Sequence, residues 1–150
     1  MSALTALDVA KYIVDYHQKR KSEINNLKVQ KLLYFVDASF MKKNNGISLF
    51  HDDFEAWDYG PVIDEVYEHY KGNGSRPILL FNFLSDAEIT VEVKNLIEKV
   101  VTHFWDTDAW ELVDKTHKQD PWLKNYQSNQ KNVIPKKEIF AYFQNCEVLD

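Results

Sequence analysis

The sequence predicts a mainly α single domain: a compact bundle of six or seven helices with at most a small β element near residues 53–59. Three observations point there. Apolar residues recur at helical spacing along most of the chain. Segment after segment opens on a capping residue and closes on Asn or Gly. Only Phe54 to Tyr59 alternates with period two, aromatics on one side. A length of 150 residues suits one domain over 1–150.

The elements follow in order. Thr5-Ala6-Leu7-Asp8 has the form of a capping box. Behind it Ala6, Ala10, Ile13, Val14 and His17 share one helical face, and the helix ends near Lys19–Lys21. Asn25 or Asn26 caps a second helix, which runs from Leu27 to about Lys43. Its middle, Leu32 to Phe40, is apolar nearly all round, so it is the central helix. Asn44-Asn45-Gly46 stops it, because Asn and Gly tolerate the left-handed conformation. The short strand comes next, then Gly60-Pro61, with Pro61 as the first residue of a helix over Val62 to Tyr70. Gly72-Asn73-Gly74 is a turn, and Ile78 to Phe83 an extended segment or buried loop. Ser85-Asp86-Ala87-Glu88 reads as a second capping box, opening a helix with the stripe Val93, Leu96, Ile97, Val100, Val101, Phe104. Asp106 or Thr107 caps a short helix carrying Trp110, Leu112 and Val113. Asp120-Pro121 starts another with Trp122, Leu123 and Tyr126, and Pro135 the last, with Ile139, Phe140, Tyr142 and Phe143. The tail, 145–150, is expected to be loose.

Composition narrows the function. The net charge is −5 and only Arg20 and Arg76 can grip a base or phosphate with a planar fork, which argues against nucleic-acid binding. The longest strictly apolar run, Leu32 to Val36, is far short of the roughly 20 residues of a membrane span, and no signal peptide is visible. The chain reads as soluble and cytoplasmic, with no membrane role. Cys146 is the one cysteine, so no internal disulfide forms.

Chemistry is thin. Of the histidines, His51, His69, His103 and His117 are raw material for a hydrolase or metal enzyme, with Glu65 four residues before His69. The pattern HExxH is absent, and His51-Asp52-Asp53 lacks the spaced oxygens of a calcium loop. No nucleophile elbow, P-loop or dinucleotide fingerprint occurs. The expectation is therefore no enzyme, no metal and no cofactor. Two stretches carry more. In Phe54-Glu55-Ala56-Trp57-Asp58-Tyr59-Gly60-Pro61-Val62, two large aromatics crowd a tight turn. In Thr116-His117-Lys118-Gln119-Asp120-Pro121-Trp122, His117 can bond backbone and lock the loop while Trp122 anchors it. Each reads either as a structural corner or as a partner surface, where Trp and Tyr are enriched. The candidate partner-binding residues are Trp57, Tyr59, Gly60, Pro61, His117 and Trp122.

These stretches also carry a resemblance. Leu27-Lys28-Val29-Gln30-Lys31-Leu32-Leu33-Tyr34-Phe35 resembles the L-K-L-Q-K-L-L-Y-F signature of the SocA-like, or Panacea, antitoxin domain family (GepA-like, phage-associated). Glu55 to Val62 is similar to its E-A-W-x-Y-G-P-V, Thr116-His117 with Pro121-Trp122 to its T-H…P-W, and Ile134-Pro135 with Tyr142-Phe143 to its I-P…Y-F. The resemblance implies an antitoxin, often of prophage origin, that neutralises the protein toxin of an adjacent gene by direct binding. The alternatives it implies are an adaptor handing the toxin to a Clp-type protease, or a phage or mobile-element protein binding another host factor. It brings no catalytic residues. The toxin's identity and the oligomeric state stay open.

Overall fold

Helix α2 (Asn26–Lys43) decides the architecture. The computed structural model describes residues 4–79 and 88–150. The Asn25 side chain accepts from the Lys28 amide at the start of α2. Asn45 turns left-handed at its end, and the Gly46 amide donates back to the Met41 carbonyl at 2.8 Å. Between these stops Val29, Leu32, Leu33, Tyr34, Phe35 and Val36 are all fully buried. A helix with no polar face must be surrounded. Around it pack α1 (Ala6–Lys19), α3 (Asp64–Tyr70), α4 (Val91–His103), α5 (Ala109–His117) and α7 (Lys136–Tyr142), while α6 (Asp120–Asn125) sits on α5 and α7. The result is seven α-helices among the described residues, forming one mainly helical core. Each large side chain sealed in that core contributes about 1.5–3 kcal/mol relative to exposure.

The small sheet is larger than the expected element. Strands β1 (Phe54–Trp57), β2 (Gly60–Val62) and β3 (Asn132–Ile134) are antiparallel in the order β2-β1-β3. Pro61 therefore starts no helix: it lies in β2 opposite Ala56, and α3 begins three residues later, at Asp64. The reason is that β2 is an edge strand, where a missing N–H removes no ladder bond that the sheet needs. Strand β3 pairs Ile134 with Phe54 and brings the last quarter of the chain onto the hairpin.

Other boundaries shift slightly. Thr5 and Asp8 form the capping box of α1, each side chain accepting from the other's amide. Asp108, rather than Asp106 or Thr107, caps α5 by accepting from the Trp110 amide. Gln119 stands at the cap of α6, with Asp120 and Pro121 in its first turn, and Pro135 stands at the cap of α7. The capping box expected at Ser85 lies largely outside the described residues, and α4 opens at Val91 with Thr90 as its cap. Of the extended segment, Ile78 is described, its amide donating to the Ile24 carbonyl at 2.9 Å; residues 80–83 lie outside. The last six residues, expected to be loose, hold no helix or strand, yet Val148 is buried and Lys115 pairs with Asp150.

An ion pair fixes α7 to α2. Asp37 is fully buried and lies 2.5 Å from Lys136 Nζ. The same carboxylate accepts from the Leu49 amide and the Ser48 hydroxyl, both at 2.8 Å. Lys136 also donates to the Phe50 carbonyl at 3.1 Å. A buried charge needs this completeness, because desolvation otherwise outweighs the attraction.

Candidate functional site

The hairpin β1-β2 has two faces with different chemistry. Its inner face lies on α2, α5 and the start of α6, and a polar seam joins them. Lys31, fully buried, donates from Nζ to the Pro61 carbonyl at 2.8 Å. Burial pushes its pKa down to about 7. One turn-neighbour away, Gln30 accepts from the Ile63 amide and donates to Asn26, which in turn donates to the Tyr67 carbonyl. Tyr34 donates to Gln119 at 2.8 Å, and burial pushes its phenol well up. Gly60 completes the fit. Its φ is +101°, and a Cβ there would stand 2.6 Å from Thr116 Oγ1 and 2.8 Å from Lys31 Cε. Only glycine serves both the backbone angle and the close approach.

The loop between α5 and α6 clamps the hairpin's turn. His117 Nε2 lies 2.9 Å from the Asp58 carbonyl; a carbonyl only accepts, so this nitrogen carries the proton. Trp122 donates from Nε1 to the Trp57 carbonyl at 2.7 Å, and Tyr126 donates to the Asp58 carboxylate at 2.5 Å. The His117, Trp122 and Tyr126 rings form one column, with centroids 4.2 and 4.4 Å apart. His117 thus locks the loop through backbone and Trp122 anchors it, as one of the two readings of that stretch held.

The outer face is an aromatic groove. Trp57, Tyr59, Tyr67 and Trp110 line it, with Leu27 and Val62 as apolar floor, around a volume of 590 Å³. Trp57 meets Tyr67 edge-on at 5.0 Å, and Tyr59 meets Trp110 edge-on at 4.9 Å. Tyr59 is 55% exposed and Trp110 50%. Trp57 is half-buried, its Nε1 donating to Glu55 at 2.9 Å, so the ring face is what it offers. Lys131 covers that face, its Nζ 4.4 Å from the ring centroid.

The six candidate residues therefore divide. Trp57 and Tyr59 line the groove. Gly60, Pro61 and Trp122 are buried and His117 is half-buried; these four hold the groove's shape. Sequence reasoning missed Tyr67 and Trp110. A signal existed for Trp110: it falls off the buried stripe Ala109, Leu112, Val113, Thr116 of its helix. The buried polar set Gln30, Lys31 and Gln119 was equally hidden, although Gln30 and Lys31 lead directly into the apolar run Leu32 to Val36.

Of the histidines considered for metal, His103 bonds the Asp150 carbonyl at 3.2 Å and His117 the Asp58 carbonyl; His17, outside that set, is buried and stacked on Trp105. Among the described residues, no three His, Cys, Asp or Glu side chains gather as a metal ion requires. No helix of the described residues is long and apolar enough to cross a membrane.

Comparison with known proteins adds the relationship. The family model of the antitoxin SocA-like Panacea domain matches residues 29–123. Antitoxin SocA of Caulobacter vibrioides (strain NA1000 / CB15N) is 31% identical over 131 residues, covering 80% of this chain and 69% of that protein. No solved structure matches. The matched stretch holds most of α2, the whole hairpin and the clamping loop, which are the parts that interlock here. On that match, the chain belongs to the SocA-like Panacea domain family.

Proposed function

We propose that this chain is an antitoxin that neutralises the protein toxin of a neighbouring gene by direct contact, with the aromatic groove as the contact surface. The observation that carries the reading is the groove itself. Tyr59 and Trp110 stand in solvent at half exposure while a polar seam and a ring column fix the hairpin beneath them. Rigid, exposed aromatics are the material of interface hot spots. The 31% identity to an antitoxin supports the same direction. In this reading the chain works in the cytoplasm by binding and performs no catalysis; His117, the best-placed histidine for chemistry, is engaged by the hairpin backbone.

Growth rescue tests it. The neighbouring open reading frame is induced in a bacterial host with and without this chain. Arrest by the neighbour and recovery with the chain is the expected result; a harmless neighbour, or one that stays lethal, overturns the reading. Toxin half-life then distinguishes occlusion from delivery to a Clp-type protease: an unchanged half-life is expected here, and a shortened one replaces occlusion by delivery.

A further inference from the structure

The groove carries information about the chemistry of what fills it. We propose that it binds an extended, basic segment of the partner protein, one of whose lysine or arginine side chains takes the face of Trp57 that Lys131 now covers. This rests on the antitoxin reading above and deepens it.

Three observations support the assignment. First, the Trp57 face already holds a cation at 4.4 Å, supplied by the chain's own exposed Lys131. A ring whose Nε1–H is satisfied by Glu55 has its negative face left for a positive group. Second, the walls stand among acids. Asp108 and Glu111 flank Trp110, Asp64 and Glu65 open the helix that carries Tyr67, and Glu55 and Asp58 flank Trp57. The neighbouring cations are fewer: besides Lys131 and the exposed Arg76, which follows the lining residue Ser75, Lys71 is paired with Glu68, and Lys28 donates to the Trp105 carbonyl within the field of Asp108 and Glu111. A basic partner is steered toward such a rim and a negative one repelled. Third, the groove is bounded by a hairpin, the first turn of α2 and the helices α3 and α5, with two edge-on ring pairs along it. Two separate ring pairs offer successive side chains more than one apolar contact along the groove, which suits an extended backbone.

Lys131 is therefore a competitor for the site, and this gives the proposal a signature that a merely structural role lacks. Removing a packing residue weakens binding; removing a competitor strengthens it.

The experiment measures binding of the neighbouring gene's purified product to the chain, then of overlapping peptides about 15 residues long that span that product. Wild-type chain, Tyr59→Ser, Trp110→Ser and Lys131→Ala are compared, at 50 and 300 mM NaCl, with circular dichroism as the folding check. All three substituted residues are exposed. The expected results are a loss of about tenfold or more for Tyr59→Ser and Trp110→Ser, and a gain of about two- to fivefold for Lys131→Ala. Binding should weaken by about fivefold or more at the higher salt. The peptides that bind should carry net positive charge. If the wild-type chain does not bind the product, the antitoxin reading itself falls. If it binds but the groove variants bind equally well, or Lys131→Ala binds more weakly, or only acidic or neutral peptides bind, or no peptide binds, the present inference falls and the antitoxin reading stands.

Discussion

Two lysines hold the two ends of the small sheet, and they do so in opposite ways. Lys136, beyond β3, meets a buried carboxylate, a hydroxyl and a carbonyl. Lys31, beneath β2, is wholly buried against the Pro61 carbonyl, with no carboxylate of the described residues across from it. The first anchor is an ion pair. The second is an amine whose burial works against its charge and lowers its pKa to about 7. The difference teaches that a buried lysine is not one kind of interaction. What faces it decides whether it behaves as a cation or as a hydrogen-bonding amine.

The largest effect expected under β2 comes from its tightest contact. Gly60→Ala puts a methyl against Lys31 and Thr116 on a left-handed backbone. Strain and overpacking cost about 2 kcal/mol each, so about 4 kcal/mol of stability should disappear in urea unfolding. A loss below about 1 kcal/mol would mean the hairpin is free to move off the seam.

At the other anchor, Asp37→Ala removes the counter-charge of Lys136 and leaves the Leu49 amide without its acceptor in one step. It should cost about 3–4 kcal/mol. Equal unfolding midpoints for Asp37→Ala and wild type would show that the pair is ornamental.

The pH dependence sharpens the contrast. The folded pKa of Lys31 lies below its unfolded value of 10.5. Below pH 7 both states hold the proton, and its contribution is flat. From pH 7 upward the unfolded chain binds a proton that the folded chain does not, so stability rises with pH. The rise should reach on the order of 2–3 kcal/mol by pH 9.5. Above pH 10 the trend reverses. Tyr34 and Tyr70 are pushed up by burial, Tyr70 to about 12, so the folded chain keeps protons that the unfolded chain loses. Urea midpoints taken from pH 6 to 11 should therefore pass through a maximum between about pH 9 and 10. A monotonic decline from pH 7 would contradict the neutral-amine picture.

The smallest effect is the most discriminating. Lys31→Met keeps the length of the side chain, removes the desolvation cost and forfeits one bond to a carbonyl. At pH 7 the balance should stay within about 1 kcal/mol of wild type, and the rise toward pH 9.5 should shrink to what Lys28, whose pKa burial also lowers, contributes. An undiminished rise in Lys31→Met would assign it to another group.

Much of this architecture was legible beforehand. The all-round apolar stretch of α2, the capping box of α1 and the Asn-Asn-Gly stop are local statements that burial and backbone geometry repeat directly. The misreadings share a cause. Pro61 looks like a helix start from its neighbours, and becomes an edge-strand residue only because β1 lies beside it. Strand β3 is three residues long, too short for any alternation to register, and exists by pairing with a segment far earlier in the chain, as Ile134 with Phe54. The site divides in the same way. That two aromatics crowd the turn after β1 is visible in the sequence; that Tyr67 and Trp110 close the groove around them depends on where α3 and α5 dock.

One contact between α1 and the turn after α4 has an optical consequence. His17 lies on Trp105 with ring centroids 4.6 Å apart and planes 11° from parallel, and burial holds its pKa below the ordinary histidine value. An imidazolium withdraws excitation from an adjacent indole far better than a neutral imidazole does. Trp105 should therefore glow undimmed through neutral pH and darken only in acid, when the proton arrives in place or the stack opens. Because the unfolded chain accepts that proton more readily, stability also falls as pH drops below 6.5. The chain thus carries its own emission gauge for the join between its first helix and the turn that follows α4.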